Sequence, residues 1–345
     1  MIQKSISLLR AIRHKNGLFS ASSLAVSTGY NRAWIRDNVY EAMGIEAINP
    51  KEAIKTYYTL LDILLKHEAK IDWAIKEKPK HAYQYIHARY DPITLNEIWE
   101  EWGNKQNDAI GALIFKICDL TQKGFSVVRD RHDIRMLQKL VQYLESIEYW
   151  QDKDNGVWEE KEELHASSVG ACLAALKLLK KTTFKLPSIT GKKLLRKISV
   201  PHDMITKGQE TLNFLLPRES ITKETDLALL SLIYPYDIVN AKQKKQILEN
   251  IEMQLVRNKG AIRYTGDQYY NKSGEAEWTF GFPWLAIIYK LSGNKKKHSH
   301  YYKKTLEAFN KKGELPELYY ANSEMHNENT PLGWSQAMYL IMRKM

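Results

Sequence analysis

The sequence predicts an all-α fold, a single-domain (α/α)6 barrel, from two observations. Apolar residues recur at i, i+3, i+4 and i+7 along most of the 345 residues, whereas strict period-2 alternation is scarce. Tryptophans, glycines and paired acids gather in every second connection between the predicted helices. A chain of this length can form one closed toroid, although length alone would also allow two or three domains.

The apolar periodicity indicates twelve helices. It is clearest from Ala53 to Leu64 and from Met136 to Leu144, and Asn49-Pro50 gives the third helix a start signal. The predicted helices cover residues 2–14, 34–47, 50–67, 106–121, 131–147, 165–180, 205–216, 222–233, 242–256, 279–291, 297–310 and 331–343. The lysine-rich stretch 181–200, with Pro187 and Gly191, is predicted to be a flexible connection.

Consecutive helices that alternate in direction would bring every second connection to one end of the barrel. Every connection into an even-numbered helix then lies at the same end of the molecule. These connections are residues 30–37, 99–108, 149–163, 216–222, 257–278 and 312–331. Helices 106–121 and 165–180 are apolar nearly all round in their first turns, as in an inner ring, whereas helix 131–147 has one charged face. We therefore expect six inner and six outer helices, with a cleft at the shared end.

Composition and charge argue against several classes of protein. The net charge of +11 is spread over lysine runs in connections and helix ends, so no nucleic-acid surface is expected. No apolar run reaches the ~18 residues of a membrane span, and residues 1–13 lack a secretory apolar core, so a cytoplasmic location is expected. Cys118 and Cys172 fall in apolar helical stretches and are expected to be buried free thiols. The histidines show no metal-ligand spacing, and no metal or cofactor is expected. The oligomeric state has no sequence signal.

Two acidic motifs fall in the cleft-end connections. Glu159 and Glu160 follow Trp158 after a turn at residues 154–156, and an apolar site beside an indole would raise a carboxyl pKa so that the group can donate a proton. The same acids would also suit the first turn of a helix, and residue types alone leave both interpretations open. Glu317, after Pro316, supplies a second carboxyl group, and a glycosidase needs two.

Further polar and aromatic groups lie in the same connections. Arg36-Asp37 could bind sugar hydroxyls or form an ordinary buried ion pair. Trp102 with Asp108, and Arg263 with its neighbouring tyrosines, have the planar and aromatic character that suits pyranose rings.

At these positions the sequence resembles the glucoamylase family, glycoside hydrolase family 15, from Tyr30 to the C-terminus. The resemblance is carried by the following segments: Trp34-x-Arg36-Asp37, Trp102-Gly103-x-x-Gln106-x-Asp108, Trp158-Glu159-Glu160, Arg263-Tyr264, Pro316-Glu317 and Thr330 to Ala337. It implies an (α/α)6 barrel that releases glucose from non-reducing ends with inversion. Glu159 would be the general acid and Glu317 the general base. The substrate-binding residues would be Arg36, Asp37, Trp102, Asp108, Trp158, Glu160 and Arg263, with no metal or organic cofactor.

The expected function is therefore a cytoplasmic, inverting exo-α-glucosidase of short α-glucosides of the maltose or isomaltose type. The sequence shows neither the N-terminal β-sandwich domain of prokaryotic members nor a starch-binding module, so activity on long starch is not expected. Two segments, Leu164 to Gly170 and Glu317 to Tyr320, also resemble the glucoamylase-like domain of phosphorylase kinase α and β subunits. A non-catalytic carbohydrate-binding or regulatory protein is thus an alternative, and trehalose hydrolysis is another within enzymes.

Overall fold

The computed structural model describes residues 1–23, 25–100, 102–186 and 194–345. Its helices are α1 Ile2–Ala11, α2 Ile35–Glu46, α3 Pro50–Lys66, α4 Glu68–Lys76, α5 Asn107–Gln122, α6 Arg131–Ser146, α7 Ala166–Lys181, α8 His202–Leu215, α9 Ala241–Gln254, α10 Gly281–Leu291, α11 Lys295–Glu307 and α12 Gly333–Lys344. Two 3-10 helices cover Ala82–Gln84 and Leu227–Leu232. Antiparallel strand pairs are β1 Ala33–Trp34 with β2 Arg89–Tyr90, β3 Phe184–Leu186 with β4 Leu194–Arg196, and β5 Glu277–Trp278 with β6 Leu318–Tyr319.

Six elements close into an inner ring. Around the ring, α2 packs on α5, α5 on α7, α7 on the 3-10 helix Leu227–Leu232, that helix on α10, α10 on α12, and α12 on α2. The remaining helices pack outside this ring, for example α3 on α2, α8 on α7 and α11 on α10. The predicted (α/α)6 barrel is confirmed, and one connected apolar cluster forms its core.

Burial separates inner from outer helices as the sequence pattern predicts. Every residue of α10 from Gly281 to Tyr289 is buried, and so is every residue of α7 from Ala166 to Leu176. In α6 one side is buried, including Met136, Leu140 and Leu144, and the charged side faces solvent. An inner helix is covered on all sides by its neighbours, so it carries no continuous polar face.

Two elements of the structure differ from the prediction. The predicted helix 222–233 is a six-residue 3-10 helix, Leu227–Leu232, which begins after the capping residue Asp226 and ends shortly before Pro235. The residue before a proline avoids the α conformation, which limits continuation of the helix. Helix α4, which follows α3 after His67, was not predicted.

The stretch 181–200 contains the β3–β4 hairpin, whereas the predicted flexible positions Pro187 and Gly191 lie outside the described residues. Cys118 and Cys172 are buried free thiols, as predicted. Within the described ranges, no helix has the length and apolarity to span a membrane. The same ranges hold no cluster of three or more His, Cys, Asp or Glu side chains that could bind a metal ion.

Candidate active site

A cleft of about 550 Å³, open to solvent, lies where the connections into the inner helices meet. Seven of the nine predicted site residues line it, whereas Asp108 and Glu160 lie behind its wall. The full lining consists of Ala21, Tyr30, Trp34, Arg36, Asp37, Trp102, Val157, Trp158, Glu159, Arg263, Tyr269, Trp278, Glu317, Leu332 and Trp334. A lining of aromatic rings with a few charged groups is typical of a small-molecule site.

Glu159 is presented by the closed loop 154–163, which leads into α7. Asp154 and Glu163 exchange two backbone hydrogen bonds of 2.9 Å at the base of this loop. Glu159 adopts φ +62°, a left-handed conformation that is unfavourable for a non-glycine residue. A Cβ atom on Gly103 would lie 2.5 Å from the Glu159 carbonyl oxygen, so only glycine fits there. The loop is therefore held in a conformation that aims the Glu159 carboxyl group into the cleft.

Arg36 is buried and is the ion-pair partner of Glu159. Its Nη2 donates to Glu159 Oε1 at 2.9 Å, and its Nη1 donates to Asp108 at 3.1 and 3.2 Å. Burial acts to lower the pKa of Arg36, but the charges of Asp108 and Glu159 outweigh it and raise the pKa. The second oxygen of Glu159 accepts a hydrogen bond from Trp102 Nε1. Asp108 thus positions Arg36, and Arg36 does not pair with Asp37 as an isolated Arg-Asp unit would.

Asp37 lies in the first turn of α2 and lines the cleft with its side chain half-buried. Burial raises its pKa, Arg36 acts in the opposite direction, and the Glu159 charge adds to the rise, which brings the pKa to about 7. Arg36 directs its donors to other carboxylates, so the Asp37 oxygens remain available to a ligand in the cleft. A carboxylate placed in this way can accept hydrogen bonds from sugar hydroxyls.

Glu317 stands at the start of β6 and is fully buried. Tyr30 donates its hydroxyl proton to Oε1 at 2.7 Å, and the amides of Asn329, at 2.9 Å, and Asn327 donate to Oε2. Burial raises the pKa of Glu317, while the hydrogen bonds from Tyr30, Asn329 and Asn327 limit the rise. A carboxylate with a raised pKa and fixed orientation is suited to accept a proton.

Glu160, behind the cleft wall, and Arg263, in the cleft lining, form a second charged unit. Arg263 donates to Glu160 at 2.8 Å and to both oxygens of Asp267, and Glu160 also accepts hydrogen bonds from Tyr264 and Lys223. Burial acts to raise the pKa of Glu160, but the charges of Arg263 and Lys223 and their hydrogen bonds lower it. Glu160 is therefore held as a carboxylate, and it lies behind the cleft wall, whereas it was predicted to bind the substrate.

Aromatic rings form the rest of the cleft wall. The indole N–H groups of Trp34, Trp278 and Trp334 are buried, and none has a hydrogen-bond partner among the described residues. Buried donors without a partner are costly, and in a polar cleft they are suited to a ligand's oxygens. None of the three was predicted as a site residue, although each lies in or beside a cleft-end connection.

The sequence also gave no indication of Tyr30, Asn327 and Asn329. Each is one polar residue within a polar connection, and each acquires its role only by touching Glu317. Only their position in the sequence points to the site, because residues 30–37 and 312–331 are cleft-end connections.

The closed α-helical toroid, with carboxyl groups and aromatic rings in one end cleft, defines the glucoamylase-like class of fold. The chain belongs to glycosyl hydrolases family 15, whose sequence profile matches residues 1–344.

Curated relatives include regulatory proteins. The probable phosphorylase b kinase regulatory subunit alpha of Caenorhabditis elegans is 26% identical over 376 residues, covering 90% of this chain and 30% of that protein. The skeletal muscle isoform of the regulatory subunit alpha from Oryctolagus cuniculus is 26% identical over 383 residues, with 92% and 30% covered. The chain thus spans less than a third of the length of these relatives.

Solved structures of similar fold are glycosidases. A wild-type glycosidase superposes with a TM-score of 0.80 at 17% identity, covering 99% of this chain and 94% of the other. A variant glycosidase in complex with glucose gives a TM-score of 0.82 at 17% identity, with the same coverage. A bacterial glucoamylase complexed with acarbose gives 0.68 at 14% identity, covering 99% of this chain and 55% of the other. At these identities the likeness shows the fold.

Proposed function

We propose that this chain is an inverting, exo-acting α-glucosidase that releases glucose from the non-reducing ends of short α-glucosides. Glu159 is the general acid and Glu317 the general base. The observation that carries the proposal is the pair of carboxyl groups in one cleft, one at the cleft surface and one buried with a raised pKa. A glycosidase needs one carboxyl group to protonate the leaving oxygen and a second, across the sugar, to activate a water molecule, and Glu159 and Glu317 supply these two groups to the cleft.

The ring topology supports inversion. Glu159 lies in the connection into α7 and Glu317 in the connection into α12, and these helices are three places apart in a ring of six. The two carboxyl groups therefore approach the cleft from opposite sides of the barrel. Inverting glycosidases place a water molecule between the base and the sugar, which requires a wider separation than in retaining enzymes.

The floor of the cleft supports action at chain ends. Trp334 and Leu332 line the cleft at the start of α12, and below them the barrel axis is filled by buried side chains such as Phe280 and Trp284. A polysaccharide cannot pass through a filled barrel. One terminal sugar would therefore enter, with its hydroxyl groups facing Asp37 and the indole N–H groups.

A regulatory, carbohydrate-binding protein without turnover is the second candidate function. It is favoured by the similarity to phosphorylase b kinase regulatory subunits alpha over 90% or more of this chain. A binding protein has no physical need for a carboxyl group that is buried beside three hydrogen-bond donors, which favours the enzyme.

Glucose release from maltose, isomaltose, isomaltotriose, trehalose and soluble starch tests the proposal, with proton NMR identifying the first anomer formed. We expect β-glucose, and a loss of turnover of at least about 1,000-fold in Glu159→Gln and Glu317→Gln. Matched controls are Glu162→Gln, in the loop of Glu159, and Glu314→Gln, three residues before Glu317, neither of which lines the cleft. Both controls should keep wild-type rates.

Four outcomes are distinct. Release of α-glucose would contradict inversion, and unaltered turnover in Glu317→Gln would remove this residue from the mechanism. Saturable binding of an oligosaccharide without release would favour the regulatory candidate over the enzyme. Trehalose as the best substrate would assign the trehalase alternative.

A further inference from the structure

A second cavity lies beside the active-site cleft and shares Trp102 with it. It holds about 620 Å³, open to solvent, and its lining includes Thr28, Asn31, Arg32, Arg89 and Glu100. Apart from Trp102, none of its lining residues belongs to the cleft. Since Trp102 donates its indole proton to Glu159, this cavity adjoins the general acid of the proposed mechanism.

Arg89 is the unusual residue of this cavity. It is completely buried, and its guanidinium group lies 5.5 Å from the ring of Trp34 and 4.8 Å from the ring of Trp102. Among the described residues, none of its Nε, Nη1 and Nη2 atoms has a hydrogen-bond partner. A guanidinium carries five N–H donors, and buried donors without acceptors are costly. The arrangement suits an acceptor that arrives from outside the chain.

Among the described residues, the carboxylate that pairs with Arg89 is largely exposed. Arg89 Nη2 lies 3.3 Å from Glu100 Oε2, and the Glu100 side chain is 63% exposed. Arg32, whose side chain is 33% exposed, brings a second guanidinium to the same lining and pairs with Asp91 at 3.0 Å. The lining thus holds two guanidinium groups, and the buried one is paired only with a solvent-exposed carboxylate. The planar fork of arginine matches the paired oxygens of a carboxylate or a phosphate group.

The geometry points to a leaving-group subsite for an anionic group in this cavity. On the basis of the function proposed above, the preferred substrates are α-glucosides whose leaving portion carries a carboxylate or a phosphate. The general acid protonates the glycosidic oxygen, so the leaving portion lies on the Glu159 side of the cleft, next to Trp102. Its anionic group would replace the Glu100 carboxylate at Arg89.

The cavity also connects to the general base. Thr28, in its lining, donates its hydroxyl proton to Asn329 Oδ1 at 2.6 Å, and Asn329 donates to Glu317 at 2.9 Å. The same segment carries Tyr30, another donor to Glu317. An occupant of the cavity would hold this segment in place, and remote binding energy of this kind can raise kcat as well as lower KM.

The test compares each anionic substrate with the neutral parent of the same linkage. The pairs are maltose with maltobionate, isomaltose with isomaltobionate, and trehalose with trehalose 6-phosphate. For the linkage that the enzyme cleaves, we expect kcat/KM to favour the anionic member by roughly 10- to 100-fold, as for a charge-assisted hydrogen bond. The aldonates report on a carboxylate and trehalose 6-phosphate on a phosphate.

Variants of the lining residues test whether the preference for the anionic substrate arises in this cavity. Arg89→Gln should abolish the preference, Arg89→Lys should retain part of it, and Arg32→Gln should reduce it. Glu100→Gln should increase the preference, because the competing internal carboxylate is removed. If Arg89 only supported Trp102, its loss would lower both members of a pair equally, and the ratio would not move. Arg32 and Glu100 are exposed enough that their variants remain informative if Arg89→Gln fails to fold.

Wild-type protein with equal kcat/KM for both members of a pair would overturn this subsite and leave the glucosidase proposal intact. The same holds for a preference that Arg89→Gln, Arg32→Gln and Glu100→Gln all leave unchanged. Absence of hydrolysis of every neutral and anionic substrate would instead overturn the proposed function itself.

Discussion

Glu317 is a residue in which burial and hydrogen bonding act against each other. Burial raises its pKa, while hydrogen bonds from Tyr30, Asn329 and Asn327 favour the ionised form. A general base must be ionised in the free enzyme and still accept a proton in the transition state, so its pKa has to lie near the working pH. In the proposed mechanism, the donors around Glu317 therefore set the pH range over which it can act as the base.

Replacing Tyr30 by phenylalanine tests this balance. Loss of the 2.7 Å hydrogen bond removes a contact that lowers the pKa of Glu317, so the pKa should rise. Since the base is active above its pKa, the acid limb of the kcat profile should move to higher pH. The rate on this limb should fall about 10-fold, as expected for a hydrogen bond to a charged group.

Tyr270→Phe is the matched control for Tyr30→Phe. It removes a hydroxyl that donates to Glu328, also at 2.7 Å, outside the cleft lining. Its acid limb should coincide with that of the wild type, as measured by pH-rate profiles on one substrate. An unmoved acid limb in Tyr30→Phe would show that this hydroxyl does not control the charge of Glu317.

Individual site residues differ in how far sequence predicts them. Glu159, Glu317, Asp37 and Arg263 fall in recognisable local patterns, and the structure brings all of them to one cleft. Tyr30 lies 287 positions from Glu317, so no local pattern can pair them. Residue types in a motif are local properties, whereas the hydrogen bonds that assign roles are made across the ring.

At the level of elements, the first turn of α7 is stabilised by a residue from a different connection of the chain. This residue is Glu219, which follows α8. The Glu219 carbonyl accepts a hydrogen bond from Ala166 N at 2.7 Å, and the Glu219 carboxylate accepts one from Ser167 N at 3.1 Å. His165 Nδ1, at the N-cap, lies 3.3 Å from the same carboxylate. This unit holds the helix that follows the Glu159 loop.

The His165-Glu219 pair predicts a pH-dependent stability. Burial acts to lower the pKa of His165, but the Glu219 hydrogen bond and the charge of Asp154 outweigh it and raise the pKa to about 9. Because the folded pKa exceeds the unfolded value of about 6.5, the stabilisation is complete below that value and is lost as pH rises through about 9. Thermal unfolding should therefore show a Tm decline from pH 7 to 9.5 that His165→Gln lacks.

A second buried group titrates near this range and can be separated. Asp154 has a pKa raised to about 7 by burial, so it lowers stability as pH rises towards 7 and adds no further pH dependence above that. In Asp154→Asn the decline that belongs to His165 should persist but end at lower pH, because the Asp154 charge that helps to raise the pKa of His165 is lost. Parallel Tm curves for wild type and His165→Gln between pH 7 and 9.5 would contradict the assignment.

Periodicity predicted the elements best where burial alone decides them. The bounds of the outer helix α6 and of the inner helices α7 and α10 were predicted to within two residues at each end. The apolar pattern of these helices follows directly from which of their sides are covered by neighbours. The segment before Pro235 was predicted too long, because its apolar residues are buried in a tight turn whose length is set by Asp226 and the proline. Apolar content shows that a segment is buried, but it does not fix its helical geometry.

For the whole molecule, alternating helix directions predict which end of the barrel carries the cleft. Side chains from five of the six predicted connections, those into α2, α5, α7, α10 and α12, line one cleft, whereas residues 216–222 contribute none. The distances across the cleft could not be predicted in this way, because they depend on how closely the inner helices approach each other. Those approaches are set by small residues where two helices touch.

Gly111 marks one of these approaches, between α5 and α7. A Cβ atom there would lie 2.6 Å from both the Ala171 carbonyl carbon and the Cys172 nitrogen, which are backbone atoms of α7. Overpacking a core costs about 1–3 kcal/mol, and backbone atoms in a closed ring cannot move aside for a methyl group. Alanine is favoured over glycine in a helix by about 1 kcal/mol, so Gly111→Ala should be destabilising by a net of up to about 2 kcal/mol.

Gly170→Ala, in α7, provides the comparison. Its added methyl would meet chiefly the end of the Leu232 side chain, which can rotate, so its Tm should fall less than that of Gly111→Ala. Because α5 carries Asp108, the partner of Arg36, and α7 follows the Glu159 loop, separating these helices should also lower glucose release. Calorimetric Tm values and initial rates on one substrate measure both effects. A Tm raised by Gly111→Ala would mean that helix propensity outweighs the contact and that ring closure does not depend on backbone approach at this position.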